Sequence, residues 1–273
     1  MTVSTGSRLA GEITAHTRSA GALVLVTDYD GTIAPIAPTP DQAHAVPSAT
    51  AALNRLGATP GVRLAVITSR SCVDLARRLA DDSRLLLIGS AGLERMEAGR
   101  LSVLPAVVPW LPAVGDASDR LAVALAEGAV PGARLERKQC GVVVHTRGLH
   151  RADADAQAEA LGRSVAAITG LRVIVGKRAI ELRPPLDIDK GDALAALMAK
   201  APAGAAVVAA GDDLPDVPML QLAARCPHGV GVGVADSETP EAVREAASVL
   251  LDGPWAWGDA LAALAARLAP VGG

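Results

Sequence analysis

The sequence of 273 residues contains almost no aromatic side chains: three tryptophans, one tyrosine and no phenylalanine. The hydrophobic core must therefore be built from aliphatic residues, which supply most of the hydrophobic half of the chain. A site for a sugar or a base must work mainly through hydrogen bonds and charge, because stacking platforms are nearly absent.

Cysteine and net charge are also scarce. The three cysteines are odd in number, far apart and in no metal-binding spacing, so we expect reduced thiols rather than a disulfide framework. The net charge of −3 provides no basic field for nucleic acid or for an anionic membrane surface. We therefore expect neither partner.

Long hydrophobic runs are missing too. The best runs, 22–26 and 205–210, are far shorter than the roughly 20 residues that a membrane-spanning helix needs. The first twenty residues include Arg8, Glu12 and Arg18 and lack the apolar region of a signal peptide. These features predict a cytoplasmic protein.

Short apolar runs recur along the chain and are separated by segments with helical spacing. Runs without alternation are typical of strands buried on both faces of a parallel sheet. The repeated order of strand and helix predicts an α/β fold with a Rossmann-like parallel sheet. The predicted strands are 22–26, 63–67, 85–88, 205–210 and 229–234.

The middle of the chain has a different pattern, with two closely spaced strands around Gly176 that indicate an antiparallel hairpin. Prolines in 105–112, interpreted as a linker, and at Pro184 and Pro185 mark its two ends. We predict a discontinuous core of 1–108 and 186–273, and an inserted, smaller α+β domain at 109–185.

Two acidic clusters each follow a predicted buried strand. Asp28 and Asp30 follow the first strand, and Asp212, Asp213 and Asp216 follow the strand at 205–210. Open α/β sheets bind ligands at the carboxyl ends of their strands. Close carboxylates repel one another and favour a hard cation with oxygen ligands, most simply Mg²⁺. The alternative is a pair of solvated turns, in which aspartate is common.

Thr68 and Lys190 are weaker signals. Thr68 ends the second strand, where its hydroxyl suits a phosphate oxygen, although threonine there is also a common turn residue. Lys190 opens a predicted helix, where a cation opposes the helix dipole. It is therefore predicted to pair with phosphate or with Asp28; the alternative is a surface lysine paired with Asp187 or Asp189.

This set of residues resembles the haloacid dehalogenase superfamily of phosphohydrolases. More specifically, the chain resembles trehalose-6-phosphate phosphatases from about residue 22 to about residue 235. The segments that carry the resemblance are VTDYDGTIAPIAPTPDQA at 26–43, AVITSR at 65–70, ERKQCGVVVHTR at 136–147, GKRAIELRP at 176–184, DKGDAL at 189–194 and GDDLPD at 211–216.

The resemblance implies a mechanism. Asp28 would attack phosphorus to form an aspartyl-phosphate, and Asp30 would protonate the leaving sugar oxygen and then activate water. Thr68 and Lys190 would hold phosphate oxygens. The implied metal site for Mg²⁺ includes Asp28, the backbone carbonyl of Asp30, Asp212 and Asp213, with Asp216 in the first or the second coordination sphere.

The resemblance also implies that the inserted domain is a C2-type cap that selects the substrate. The implied sugar contacts are His145, Arg147, Lys177, Glu181 and Arg183, with Glu136 and Lys138 as further candidates. Structural alternatives stay open for these residues. Glu136 and Lys138 would form an exposed strand edge, His145 would be a hydrogen-bonded, partly buried histidine, and Arg183 would form an ion pair with Glu181.

Five positions depart from the family pattern. Ala91 replaces a histidine and Thr146 replaces a tyrosine, while Ser69 stands for a glycine, Pro215 for a threonine and Val217 for a glutamate. The first hypothesis is a phosphatase for trehalose 6-phosphate. The second is the same chemistry on another disaccharide, pseudo-disaccharide or sugar phosphate, and the third is a catalytically silent sugar-phosphate-binding protein. We also expect a monomer and functional coupling to a sugar-phosphate synthase.

Overall fold

The computed structural model describes residues 5–79, 85–176 and 178–269. The chain divides into two compact units, a larger one of Met1–Leu101 and Ile188–Gly273 and a smaller one of Ser102–Asp187. The segment 105–112, interpreted as a linker, is helical instead, since a 3₁₀ helix at Pro105–Trp110 leads directly into the next α-helix. Proline is tolerated in the first turn of a helix, where its missing N–H is not needed.

The secondary-structure elements are as follows. The strands are β1 (Leu23–Thr27), β2 (Val62–Ile67), β3 (Leu86–Gly89), β4 (Glu94–Glu97), β5 (Arg100–Val103), β6 (Arg134–Lys138), β7 (Gly141–His145), β8 (Arg172–Gly176), β9 (Ala179–Arg183), β10 (Ala206–Gly211), β11 (Gly229–Ala235) and β12 (Val249–Asp252). The α-helices are α1 (Thr5–Ala20), α2 (Pro47–Gly57), α3 (Cys72–Arg78), α4 (Leu111–Ala126), α5 (Ala154–Thr169), α6 (Lys190–Met198), α7 (Val217–Ala224), α8 (Glu241–Ala246) and α9 (Gly253–Leu268).

The larger unit is built on one sheet with the strand order β12-β11-β10-β1-β2-β3-β4-β5. The strands from β12 to β3 are parallel, which confirms the predicted α/β class with a parallel sheet. Strand β4 runs antiparallel to β3. The hairpin of β4 and β5 was not predicted. Its two turn residues, Ala98 and Gly99, both take a positive φ, as a type I′ turn requires.

Helices cover both faces of this sheet. On one face, Leu25 of β1 belongs to the same core as Leu53 of α2 and Leu261 of α9. On the other face, Val26 belongs to a second core with Leu194 of α6. The continuous apolar strands are explained by this burial on both sides. No helix within the described ranges is both long and apolar enough to cross a lipid bilayer.

The smaller unit contains an antiparallel sheet with the strand order β6-β7-β9-β8. Helices α4 and α5 pack on one face, where Val142 and Val144 of β7 meet Ile180 and Leu182 of β9 in a core of their own. The predicted hairpin around Gly176 is confirmed by the antiparallel pairing of β8 with β9.

Candidate active site

The two acidic clusters meet at one edge of the larger sheet. Strands β1 and β10 are parallel neighbours, and the N–H of Asp28 donates to the carbonyl of Ala210 at 2.9 Å. Carboxylate oxygens of Asp28, Asp212 and Asp216 all lie within 4.8 Å of one another. Asp28 is 6% exposed and Asp216 is fully buried, so two solvated turns do not describe this arrangement.

The loop after β1 is shaped by the carboxylate of Asp212. Gly31 has a φ of +75°, and a Cβ at this position would lie 2.0 Å from Asp212 Oδ2. Only glycine combines this backbone conformation with so close an approach. The next residue, the buried Thr32, donates its hydroxyl to Asp212 Oδ1 at 2.7 Å. Sequence reasoning assigned no role to Thr32, because its partner lies far away in the sequence.

Lys190 is the cation of the cluster. It is 2% exposed, and its Nζ lies 2.6 Å from Asp216 Oδ1 and 2.9 Å from Asp28 Oδ1. The prediction that it pairs with Asp28 is confirmed, and the alternative of a surface lysine is wrong. Its unfavourable place at the start of α6 is compensated by a capping box of Asp189 and Asp192. Burial disfavours its charge, but the two carboxylates outweigh this effect and hold the pKa of Lys190 above its ordinary value.

Both carboxylate oxygens of Asp216 accept hydrogen bonds from other groups of the protein. Its Oδ1 accepts from Lys190, and its Oδ2 accepts the backbone N–H groups of Asp212 and Asp213 at 3.0 and 3.1 Å. These bonds leave Asp216 to hold Lys190 and the loop in place. The exposed Asp213 accepts the N–H of Leu214 at 2.8 Å. The contacts therefore favour Asp28 and Asp212 as the carboxylates that would hold a metal.

The electrostatics of the cluster fit a divalent cation with oxygen ligands. Burial, together with the neighbouring carboxylates, raises the pKa of Asp28 to about 7 and that of Asp212 to about 8. Lys190 supplies one positive charge against three carboxylates. Asp28 Oδ1 is buried and lies 2.9 Å from Lys190 Nζ, but this ammonium group is shared with Asp216 at 2.6 Å. A hard cation would satisfy this oxygen and the uncompensated charge.

Thr68 lies at the end of β2, the strand next to β1, and is 1% exposed. Its Oγ1 accepts the N–H of Arg70 at 3.2 Å, and its carbonyl accepts the N–H of Ala91 at 2.9 Å. A hydroxyl that accepts from the backbone still has its own proton to donate. Thr68 is thus fixed at the sheet edge where the sequence predicted a phosphate contact.

Arg70 is a residue that sequence reasoning missed, although it ends the quoted segment AVITSR. Its Nε and Nη2 donate to Asp30 Oδ2 and Oδ1 at 2.6 and 2.7 Å, in a two-pronged ion pair. The Asp30 side chain keeps 31% of its surface exposed. The only signal in the sequence was the arginine itself, directly after the polar turn that follows β2.

In the smaller unit, most of the predicted sugar contacts share one face of the sheet. Residues of β7 and β9 alternate, with Val142 and Leu182 in the core and Val143 paired with Glu181 on the opposite side. By the same register, that opposite side carries what we call the polar face: Glu136, Lys138, His145, Glu181 and Arg183. Arg147 follows β7, and Lys177 lies outside the described residues.

Side chains of the polar face pair with one another. Lys138 Nζ lies 3.0 Å from Glu181 Oε1, and His145 Nε2 lies 2.7 Å from Glu136 Oε2. Glu181 is thus matched with Lys138, a partner that the sequence did not suggest. These pairs present both donors and acceptors, as a ligand rich in hydroxyl groups requires.

Two of the departures from the family pattern, Thr146 and Ala91, lie in different settings. Thr146 is 1% exposed and donates its hydroxyl to Asp155 of α5, so it faces the helices rather than the polar face. Ala91 follows β3 in the larger unit, where Ser90 and Ala91 both take left-handed φ values, of 49° and 53°. Such a backbone is strained for any residue other than glycine.

Comparisons with known proteins show which family the chain is similar to. A family model described as Trehalose-phosphatase matches residues 26–251. The chain is 37% identical over 168 residues to the trehalose-phosphate phosphatase of Mycobacterium avium, covering 61% of this chain and 41% of that protein. It is 30% identical over 250 residues to the same-named protein of Mycobacterium marinum, covering 90% of this chain and 62% of that protein. The chain thus spans less than two thirds of the length of these relatives.

Solved structures share the fold. The C-terminal domain of the Candida albicans trehalose-6-phosphate phosphatase matches with a TM-score of 0.72 and 20% identity, over 94% of this chain and 97% of that domain. A haloacid dehalogenase-like hydrolase from Bacteroides thetaiotaomicron matches with a TM-score of 0.56 and 19% identity, over 89% of this chain and 98% of that one.

Proposed function

The chain belongs to the trehalose-phosphatase family, and on this premise we propose that it is a Mg²⁺-dependent phosphatase that hydrolyses trehalose 6-phosphate to trehalose and phosphate. The observation that carries the proposal is the buried contact of Lys190 with Asp28 and Asp216, beside the carboxylate of Asp212. Burying a lysine among carboxylates costs desolvation free energy. Its place at the ligand-binding edge of an α/β sheet therefore favours a functional role over a purely stabilising one.

Asp28 is the proposed nucleophile. Its carboxylate oxygen attacks phosphorus and the bond to the sugar oxygen breaks, so that an aspartyl-phosphate forms. Lys190 holds the carboxylate of Asp28 and, with the Thr68 hydroxyl, is the proposed donor to the phosphate oxygens.

Asp30 is the proposed acid and base. It gives its proton to the sugar oxygen as that oxygen leaves, and it then takes a proton from the water that attacks the aspartyl-phosphate. Phosphate is released and both aspartates return to their first state. The exposed part of the Asp30 side chain supports this role, because a proton donor must reach its substrate.

Asp28, Asp212 and the backbone carbonyl of Asp30 would hold the Mg²⁺. When bound, the ion would reduce the repulsion between the carboxylate of Asp28 and the negatively charged phosphate. Thr32 fixes Asp212 for this purpose, and Asp216 keeps Lys190 and the loop around Asp212 in place.

The experiment that tests the proposal measures phosphate release from trehalose 6-phosphate by the wild type and by Asp28→Asn, each with Mg²⁺ and with EDTA. We expect release only by the wild type with Mg²⁺. Absence of release there would overturn the proposal, and release by Asp28→Asn at the wild-type rate would overturn the assigned nucleophile. Turnover that depends on Asp28 would also exclude a catalytically silent binding protein.

A second candidate substrate is another disaccharide, pseudo-disaccharide or sugar phosphate. Ala91 favours it, because this position lacks the large polar side chain that the family pattern has there, and a lost hydrogen-bonding partner reduces discrimination. A panel of sugar phosphates separates the two candidates. The first is wrong if trehalose 6-phosphate does not have the highest kcat/KM.

The remaining proposals concern the setting of the reaction. We propose that the smaller unit selects the sugar through its polar face, and that the protein acts as a cytoplasmic monomer functionally coupled to a sugar-phosphate synthase. Substrate specificity of polar-face variants, sedimentation and cell fractionation test these proposals in turn.

A further inference from the structure

A continuous series of ion pairs leads from Asp30 away from the carboxylate cluster. Arg70 holds both oxygens of Asp30, and its Nη1 donates to Asp74 Oδ2 at 2.7 Å. Arg78 holds the same Asp74, with Nε 2.8 Å from Oδ2 and Nη2 3.0 Å from Oδ1. The side chains of Arg70 and Arg78 are only 12% and 8% exposed, whereas those of Asp30 and Asp74 keep 31% and 26% of their surface exposed.

The far end of this series is attached to the backbone. Arg78 Nη1 donates to the carbonyls of Asp41 and Ala43, both at 3.3 Å, in the segment that connects β1 to α2. The hydroxyl of Tyr29 donates to the same carbonyl of Ala43 at 3.1 Å. Tyr29 is fully buried, and the guanidinium of Arg70 lies 5.5 Å from the centre of its ring. The arrangement is therefore fixed by packing as well as by charge.

The ion pair fixes Asp30 without blocking it. A carboxylate oxygen has two lone-pair sites, and an arginine fork uses one site on each oxygen. The plane of the carboxylate is thus set while a second site on each oxygen remains for a proton or a water molecule. An arginine side chain has several rotatable bonds, so the fork keeps its direction only if another group holds the guanidinium.

We propose that Asp74 is a positioning residue for the reaction: it holds Arg70 in the orientation that fixes the carboxylate of Asp30, and Arg78 in turn holds Asp74. This inference rests on the proposed function, since it takes Asp30 as the group that protonates the leaving sugar oxygen.

The test compares two substrates that differ in their need for that proton. The sugar alkoxide of trehalose 6-phosphate is a strong base and leaves with a proton, whereas 4-nitrophenolate is a weak base that leaves without one. For Asp74→Asn we expect kcat/KM to fall about 30- to 100-fold with trehalose 6-phosphate and less than about threefold with 4-nitrophenyl phosphate, both with saturating Mg²⁺. Asp30→Asn is the reference and should show the same selectivity to a larger degree.

The matched control is Asp116→Asn on α4, where Asp116 and Arg120 form an exposed pair with the same spacing of four residues. It should leave both rates unchanged. Equal loss on the two substrates by Asp74→Asn, or no loss on either, would overturn the inference. If Asp74→Asn does not fold, Arg78→Lys replaces it, since lysine keeps the charge but loses the fork, and the same criterion applies.

Failure of the proposed function would be recognised separately, because the wild type would then release no phosphate from trehalose 6-phosphate. The positioning role is in that case decided by urea unfolding. The coupling between Asp30 and Arg70 is measured with Asp30→Ala, Arg70→Ala and the double variant, with and without Asp74→Asn. We expect the coupling, expressed as an equilibrium ratio, to fall at least about threefold without Asp74. An unchanged coupling would overturn the inference.

Discussion

The cluster around Lys190 and the polar face of the smaller unit are both groups of charged residues, but they are surrounded differently. Lys190, Asp28 and Asp216 are between 0% and 6% exposed. On the polar face, the side chain of Glu136 is 37% exposed and that of Glu181 is 19% exposed. The buried cluster holds its charges by mutual contacts, so each member depends on the others, whereas the pairs of the polar face can exchange a partner for water or for a ligand hydroxyl.

The sharpest test of this contrast is Lys190→Met, which leaves Asp28 and Asp216 buried without their cation. We expect the free energy of unfolding to fall by about 3–5 kcal/mol, because an uncompensated buried charge is strongly destabilising. Urea unfolding at neutral pH measures the loss. Lys200→Met, in the exposed turn after α6, is the matched control and should change stability by no more than about 0.5 kcal/mol. Equal effects of the two variants would contradict the contrast.

The pH dependence of stability tests the same cluster without a variant. The raised pKa values of Asp28, about 7, and Asp212, about 8, mean that the metal-free native state keeps protons that the unfolded state releases near pH 4. The free energy of unfolding therefore falls as the pH rises above about 4 and levels off above about 8.

One carboxyl that stays protonated from pH 5 to 7 accounts for a fall of roughly 3 kcal/mol, at about 1.4 kcal/mol per pKa unit. Thermal unfolding in EDTA between pH 5 and pH 9 measures the slope. Saturating Mg²⁺ should flatten it, and Asp212→Asn should reduce it. A stability that rises with pH over this interval would contradict the raised pKa values of these two buried carboxyl groups.

The polar face should respond through specificity rather than through stability. For Glu181→Gln we expect KM for trehalose 6-phosphate to rise about tenfold, as for a removed ligand hydrogen bond, with the rate on 4-nitrophenyl phosphate unchanged. Stability should change by no more than about 1–2 kcal/mol, because glutamine keeps an acceptor for Lys138 although both side chains, at 8% and 19% exposure, are largely buried. Glu159→Gln, in the exposed pair with Arg163 on α5, is the control and should change neither. Equal losses on both substrates would contradict a role in sugar selection.

The same contrast explains what the sequence could predict. Asp28, Thr68 and Asp212 each follow a strand directly, so their position at one sheet edge follows from the parallel topology. The partners of Arg70 and Thr32 could not be predicted. Asp30 and Asp212 lie in loops, and the directions of their side chains do not follow from the order of the strands. Likewise, the alternation in β9 places Glu181 on a face, but its pairing with Lys138 depends on the register with β7 and β6.

A third setting, the loop after β3, has the smallest expected effect on stability. Ala91 is partly exposed, yet its φ of 53° is imposed by backbone bonds from Ser90 and Ala91 to the carbonyls of Arg70 and Thr68. A left-handed alanine costs about 1–2 kcal/mol, and glycine avoids this cost but loses about 0.5–1 kcal/mol of backbone entropy on folding.

Ala91→Gly should therefore raise the free energy of unfolding by about 0.5 kcal/mol. Ala98→Gly, at a φ of 49° in the exposed turn between β4 and β5, should stabilise the protein by a similar amount. The two variants differ in what surrounds them, since only the backbone of Ala91 bonds to Thr68. If the strained loop fixes Thr68, Ala91→Gly lowers kcat/KM on both phosphate substrates while Ala98→Gly does not. If both variants keep full activity, the strain at Ala91 is a consequence of the turn after β3 and serves no function at the site.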